Sequence, residues 1–365
     1  MQIEFFPSRT LTLYLIKLFA SRVLGMLIML VLVLQTLDLL GESGKILAAP
    51  GNGEAQLWTY VSLRMPQLIS TFLPYSVLLA TIIMLATLNQ NSEVIAMKAS
   101  GLSAHQILAP LLLAAGVVSV GSLVFNERVV TRSTATLKAW QAVEFGKVPR
   151  EAGTRSNVYL RDGPNILMAA NLSGKGEAIR MTGVTWYRRN AQMMVVEEIR
   201  APRASYAAPG WRLEDATSFD VESTATRRVG AITVAAEVTP AQASISSVDA
   251  DGEDIFTLRR SIAAMDAAGR RTDELKGKWW HKLSGPFSAL LMPLLGAIAA
   301  FGLARSGQLL LRSVIGMALG FAYFVVDNAS LAIGNFGAYP PLVAAWAPFL
   351  LFLLVGETLL IRTEE

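Results

Sequence analysis

The sequence has no cysteine, only two histidines and few charged side chains. Without cysteine, the chain has neither a disulfide framework nor a thiolate metal site. Charged residues make up 16% of its 365 residues, whereas about 25% is typical of globular domains. The net charge of +4 is small and is spread along the chain, without the basic cluster that nucleic-acid binding requires. These features argue against a nucleic-acid-binding protein and against an ordinary soluble one.

Long apolar runs are what the sequence has instead. Hydrophobic residues make up 53% of the chain, and a helix that crosses a bilayer needs about 20 mostly apolar residues. The apolar run that begins at Val23 continues to Leu40 with no small-residue cleavage site directly after it, so we interpret it as a retained anchor. We predict six transmembrane spans at about 20–40, 66–88, 106–126, 283–304, 309–333 and 342–361.

The positive charges of the short loops predict the orientation. On one side of the membrane these are Arg9, Lys17, Arg22, Lys98, Arg305, Arg312 and Arg362. The other short loops offer only Lys45 and Arg64. Cytoplasmic loops carry the excess of Lys and Arg, whereas long loops cross the membrane regardless of charge. We therefore expect both termini in the cytoplasm and the long segment 128–282 outside it.

That long outer segment has a different pattern. From 157 to about 245, apolar and polar residues alternate in short runs such as Val184 to Tyr187, separated by turn signals such as Arg161-Asp162-Gly163-Pro164. Short strands at near-regular spacing are typical of an antiparallel sandwich or jelly roll. We predict an α-helical polytopic membrane protein with an inserted all-β jelly-roll domain. Its segments are 1–127 (spans one to three), 128–256 (β domain) and 257–365 (a connecting helix and spans four to six).

The connection between spans two and three predicts a short separate helix at about 91–101. Asn91 or Ser92 is a suitable N-cap, and Gly101 supplies a C-terminal stop. Ser103 followed by Gln106 is a capping-box pattern that would open the third span. Two interpretations fit this pattern: a helix that only joins two spans, and a coupling helix that seats in a groove on a cytoplasmic motor subunit.

Three stretches resemble one family in particular, the LptF/LptG permeases. The run from Ser92 to Gly101 resembles their coupling helix. The run from Gly320 to Asp327, followed by Pro340-Pro341, resembles their fifth span and its exit. Trp280-His281-Lys282 with Pro286 resembles the start of the fourth span of these permeases. The order of parts matches over essentially the whole chain: three spans, a periplasmic jelly roll and three spans.

The resemblance implies a permease subunit of an ABC exporter that takes lipopolysaccharide from the bacterial inner membrane. The implied partners are a second permease of the same family, a dimer of LptB-like ATPase and an LptC-like periplasmic subunit. ATP and magnesium would bind to the ATPase, and no cofactor to this chain. In agreement, the sequence has no G-x-x-x-x-G-K-[ST] phosphate loop. In that family the coupling-helix acid, here Glu93, contacts the ATPase.

The candidate functional residues form two groups. The ATPase-coupling residues are Ser92, Glu93, Val94, Met97, Lys98 and Gly101. The candidates for a substrate cavity or gate are Gln35, Asp38, Phe72, Tyr75, Arg132, Lys138, Val314, Met317 and Asp327. Intramembrane charges are costly and usually face a cavity or a partner. For Asp327 we expect an interhelical hydrogen bond that also shapes the cavity wall, whereas Glu357 can extend to the interface.

The cationic residues raise the question of the cargo. Some relatives carry lysines, suited to lipid A phosphates, at positions that correspond here to Gln35, Gly41 and Glu42. Nearby cationic contacts are offered by Lys45, Arg128, Arg132 and Lys138, or these are merely solvated charges just above the membrane. The hypothesis is that the cargo has fewer or differently placed phosphates, or is another large glycolipid. Comparing transport of lipid with and without its phosphates tests this, and strict dependence on them would contradict it.

The motifs that the sequence lacks also bear on other classes of function. An enzyme is disfavoured because the sequence has no G-x-S-x-G, no H-E-x-x-H and no cysteine nucleophile. His105 and His281 lie on opposite sides of the membrane in the predicted topology and cannot form one site. We also predict no metal site. A membrane sensor with an outer ligand domain and a permease of another lipid-trafficking ABC system remain alternatives.

Overall fold

The computed structural model describes residues 6–146, 155–174, 178–240, 243, 249–267, 271–301 and 309–362. In chain order the helices are α1 (Arg9–Ala48), α2 (Glu54–Gln90), α3 (Glu93–Ala99), α4 (Ala104–Phe125), α5 (Thr131–Ala142), α6 (Ile255–Ala267), α7 (Asp273–Phe301), α8 (Leu309–Asn335) and α9 (Pro341–Arg362). A π-helical turn, Asn126–Val130, joins α4 to α5. The strands are β1 (Arg155–Asp162), β2 (Asn165–Ser173), β3 (Arg180–Arg189), β4 (Val195–Ala207), β5 (Gly210–Asp220) and β6 (Thr226–Val234).

Among the described residues, five helical segments are long and apolar enough to cross a membrane. They are α1, α2, the continuous stretch Ala104–Ala142, Val314–Asn335 and α9. These correspond to the predicted spans one, two, three, five and six. The predicted fourth span falls in α7, which is not among the five, so the count of six stays a prediction. Residues 302–304 of that span, and Arg305, lie outside the described residues.

The chain divides into two compact units. The first contains Met1–Asp38, Met65–Val130 and Arg271–Glu365, and the second contains Leu39–Arg64 and Thr131–Arg270. The end of α1 and the beginning of α2 therefore belong to the unit that contains the strands. In that unit Ile46, Tyr60, Leu137, Trp140 and Phe145 form a buried cluster of their own.

The core of the first unit is one apolar cluster to which α1, α2, α3, α4, α7, α8 and α9 all contribute. Several of these helices contain proline, which membrane helices tolerate because neighbouring groups bond the freed carbonyl oxygens. Between α4 and α7 the Ser119 hydroxyl donates to the Pro286 carbonyl oxygen over 2.8 Å, a polar contact within the packed helices. The short helix α3 is thus part of the packed helical unit.

Close helix packing at Gly320 gives a first prediction. A Cβ added to Gly320 would lie 2.2 Å from Cδ2 of Leu78, which is itself buried. We expect Gly320→Val to separate α2 from α8 and to lower the free energy of unfolding by about 3 kcal/mol, because small residues let membrane helices approach closely. Thermal unfolding in lipid nanodiscs measures this. Gly121→Val is the control, since nothing lies within 4 Å of a Cβ there, and equal melting of both variants would contradict the prediction.

The strands of the second unit form one antiparallel sheet in the order β1-β2-β3-β4-β5-β6. The alternation predicted from the sequence is confirmed: Leu167, Val184, Ile199, Trp211 and Leu213 are buried in one apolar cluster. The predicted all-β domain is therefore present. The described strands follow one another in simple sequence order, and the jelly roll stays a prediction.

Candidate coupling helix and polar membrane contacts

The short helix α3 has the predicted position and length. The capping box that opens α4 is confirmed, because the Ser103 hydroxyl accepts from the Gln106 N–H (3.2 Å) and the Gln106 side chain accepts from the Ser103 N–H (3.0 Å). Gly101 follows α3 with φ +90°, a conformation that favours glycine. Of the two residues predicted as N-cap of α3, Ser92 is confirmed in that position. Ser92 stands at the N-cap position with φ 61° and its side chain makes no capping bond.

The two faces of α3 differ. Val94 and Met97 are buried in the apolar core of the first unit, so they anchor the helix and do not offer a surface to a partner. Their predicted role in ATPase coupling is therefore that of an anchor, and it stays a prediction. Ile95, by contrast, is 53% exposed, and Lys98 is exposed beside it. Ile95 was not predicted as a coupling residue, although helical spacing puts residues 94 and 97 on one face and residue 95 on another.

Glu93, at the first position of α3, is held by two side chains. The Tyr14 hydroxyl of α1 donates to Oε2 over 2.9 Å, and Asn91 Nδ2 donates to Oε1 over the longer distance of 3.4 Å. Tyr14 was not predicted. Its separation of 79 residues from Glu93 leaves no local pattern that signals the contact.

The interhelical hydrogen bond predicted for Asp327 is confirmed. Asp327 of α8 is 6% exposed, and its Oδ2 lies 3.0 Å from Nε2 of His281 on α7. The next residue, Lys282, lies 3.5 Å from Oε1 of Glu127 in the π-helical turn. Successive residues of α7 therefore contact two different elements.

The second histidine pairs separately. His105 Nε2 of α4 lies 3.0 Å from Oε1 of Glu357 on α9. Glu357, which was expected to extend to the membrane interface, thus joins α9 to α4. The two histidines belong to different pairs. Among the described residues, no group of three or more His, Cys, Asp and Glu side chains could hold a metal ion.

The apolar cavity candidates lie on α2 and α8. The rings of Tyr75 and Phe324 stack with centroids 3.9 Å apart. The centroids of the Phe72 and Tyr75 rings are 5.7 Å apart. Val314 and Met317 of α8 are both exposed at the surface of the chain. The structure therefore joins Tyr75 to α8 and Phe72 to Tyr75, while the lining role of the four residues stays a prediction.

The polar cavity candidates are in different environments. Gln35 is 6% exposed, and both polar atoms of its side chain lack a hydrogen-bond partner among the described residues. Asp38 is half-buried. In the second unit Arg132 is exposed, whereas Lys138 donates to Asp249 (2.9 Å) and Asp251 (3.1 Å). Lys138 is therefore paired with two carboxylates, and its role at a cavity or gate stays a prediction.

Comparison with known proteins covers nearly the whole chain. The family described as lipopolysaccharide export system permease LptF/LptG matches residues 13–362. The chain is 24% identical to lipopolysaccharide export system permease protein LptG of Escherichia coli strain K12 over 317 residues, which are 83% of this chain and 84% of that protein. It is 23% identical to the LptG protein of Haemophilus influenzae over 325 residues, which are 86% and 89% of the two chains. The matched region includes α3 and every described strand and membrane helix apart from the first residues of α1.

Proposed function

The chain belongs to the lipopolysaccharide export system permease LptF/LptG family, and from this premise we propose that it is the LptG-type permease subunit that moves lipopolysaccharide out of the inner membrane. Its curated relatives bear the LptG name, and its apolar helices make it a multi-pass membrane protein. As a member of a permease family it is a transmembrane subunit and not an enzyme. ATP hydrolysis, with its magnesium ion, is the task of a separate ATPase.

The observation that carries the mechanism is the construction of α3. Its buried residues Val94 and Met97 fix it to the core of the helical unit, while Ile95 and Lys98 point away from that core. A helix that only joined two spans would have no need of an exposed isoleucine next to charged residues. This arrangement supports a coupling helix that inserts into a groove on an LptB-like ATPase dimer.

Closure of the ATPase dimer would push α3, and α3 would move the spans in whose core it is anchored. Together with an LptF-like second permease, the spans would enclose a lipid cavity and expel the acyl chains as they approach one another. Phe72, Tyr75, Val314 and Met317 supply the apolar wall of this cavity in the proposal. Gln35 and Asp38 are the polar members of this wall on α1 in the proposal, and Arg132 and Lys138 are separate cationic candidates in the second unit. Asp327 stabilises the wall of the cavity through its contact with His281.

The finer architecture is part of the same proposal. It has six spans, segment limits at 127 and 256, both termini in the cytoplasm, and a periplasmic jelly roll that passes lipid to an LptC-like subunit. The support for the orientation is the positive charge of the short loops. The support for lipid passage is the family to which the chain belongs.

Isolation of the tagged chain from bacterial membranes into nanodiscs tests the proposal. An ATPase subunit should come with the wild-type chain, whereas Ile95→Asp should lose it, because a charge at the centre of an apolar contact costs about 2 kcal/mol or more. Ile95→Leu is the matched control and should keep the ATPase. Quantitative mass spectrometry of the isolated complex measures the ratio of the two subunits.

The same isolation separates the alternative functions. A membrane sensor would bring no ATPase, which would contradict the proposal. A permease of another lipid-trafficking system would bring an ATPase but would release a different lipid, and the lipid bound in the nanodisc identifies it.

A further inference from the structure

The contact between Tyr14 and Glu93 joins the coupling helix to the first membrane helix by a directional bond. The phenol hydroxyl lies 2.9 Å from Oε2, within the usual range for a hydrogen bond to a carboxylate. Both groups lie at the surface of the chain. Hydrogen bonds to charged acceptors are stronger and more dependent on geometry than apolar contacts. This bond therefore fixes the orientation of the carboxylate relative to α1.

The buried residues of α3 make contacts of another kind with its unit. Val94 and Met97 share the apolar cluster with Leu15 and Phe19, which follow Tyr14 on α1. Apolar contacts are non-directional, so they keep α3 against α1 without fixing its position along or around that helix. The hydrogen bond from the Tyr14 hydroxyl is directional, so it fixes the orientation of α3 relative to α1 that the apolar contacts leave open.

The carboxylate has one oxygen left for a partner. Oε2 is bonded to Tyr14, whereas the contact that the described part of the chain gives to Oε1 is the long one of 3.4 Å with Asn91. A carboxylate has lone pairs for about four hydrogen bonds, so Oε1 can accept from a cationic donor while Oε2 keeps its bond. Glu93 can therefore be bonded at once to the partner and to α1.

Resting on the function proposed above, we propose that Tyr14 is the positioning residue for Glu93 and transmits displacement of the coupling helix to α1. When the ATPase moves α3, the bond draws the cytoplasmic end of α1 with it. The same helix continues without a break to Gln35 and Asp38. Movement at Glu93 thereby reaches the part of α1 that faces the lipid.

The test removes the phenol oxygen of Tyr14 and the charge of Glu93, singly and together. Tyr14→Phe, Glu93→Gln and the double variant are compared with wild type in the full complex with its ATPase, reconstituted in proteoliposomes. The measured quantity is the amount of lipopolysaccharide released for each ATP hydrolysed. We expect Tyr14→Phe to lower this ratio by about threefold to tenfold, with subunit assembly and melting temperature unchanged. Tyr159→Phe, which removes a phenol oxygen from exposed Tyr159 on the sheet, is the matched control and should leave the ratio as it is.

The double variant distinguishes transmission from a merely structural role. If the two residues act through one bond, the double variant should lose little more than Glu93→Gln alone. Additive losses, or a Tyr14→Phe ratio equal to wild type while Glu93→Gln lowers it, would overturn the inference and leave the proposed function standing. If neither Glu93→Gln nor Glu93→Ala changes the ratio or the assembly, the proposed function fails as well.

Discussion

Glu93→Ala should reduce lipopolysaccharide release per ATP hydrolysed by about tenfold or more in the reconstituted complex. The substitution removes the acceptor for Tyr14 and, in the proposal, the anion that meets the ATPase. Loss of one member of a buried charged contact at an interface costs about 2–5 kcal/mol, and each 1.4 kcal/mol is a factor of ten. The measurements are the ATPase rate, lipid release, and the amount of ATPase that is isolated with the chain.

The matched control for this prediction is Glu54→Ala. Glu54 is also an exposed first-turn glutamate, in α2, and the proposed topology places it on the opposite side of the membrane. It should behave like wild type. If Glu93→Ala retains full ATPase binding and full lipid release, α3 is only a connector between two spans and the coupling mechanism is wrong.

His281→Ala should destabilise the membrane unit by roughly 3 kcal/mol, because it leaves the carboxylate of Asp327 buried without this partner. Removal of one member of a buried polar pair exposes the full desolvation penalty of the other. The double variant His281→Leu/Asp327→Leu should recover most of the loss, since apolar side chains of similar size remove both polar groups. Thermal unfolding in nanodiscs compares the three proteins.

The structure provides a control with the same chemistry. His105 and Glu357 also lie 3.0 Å apart, but the Glu357 side chain is 47% exposed, so His105→Ala should cost less than about 1 kcal/mol. Equal destabilisation by His281→Ala and His105→Ala would show that burial of Asp327 does not govern the effect.

Features that depend on neighbouring residues could be predicted from the sequence. The capping box at Ser103 needs only the side chain three residues later, and the alternation in β3 or β5 is visible within one strand. The long apolar runs identify membrane helices for the same reason, since length and composition decide whether a helix can span a bilayer. The family resemblance rests on short runs of the same local kind.

Which side chains contact one another depends on how distant parts of the chain pack together. Tyr14 and Glu93 are 79 residues apart, His281 and Asp327 are 46 apart, and Lys138 and Asp249 are 111 apart. The burial of Val94 and Met97 on one face of α3, with Ile95 exposed on another, likewise depends on how the helices pack. Lipid tails are as apolar as the helix core, so the sequence of a membrane helix hardly distinguishes the face toward lipid from the face toward its neighbours. The rotation of each helix, and with it every contact between distant residues, is fixed only when close packing and the few polar side chains are satisfied together.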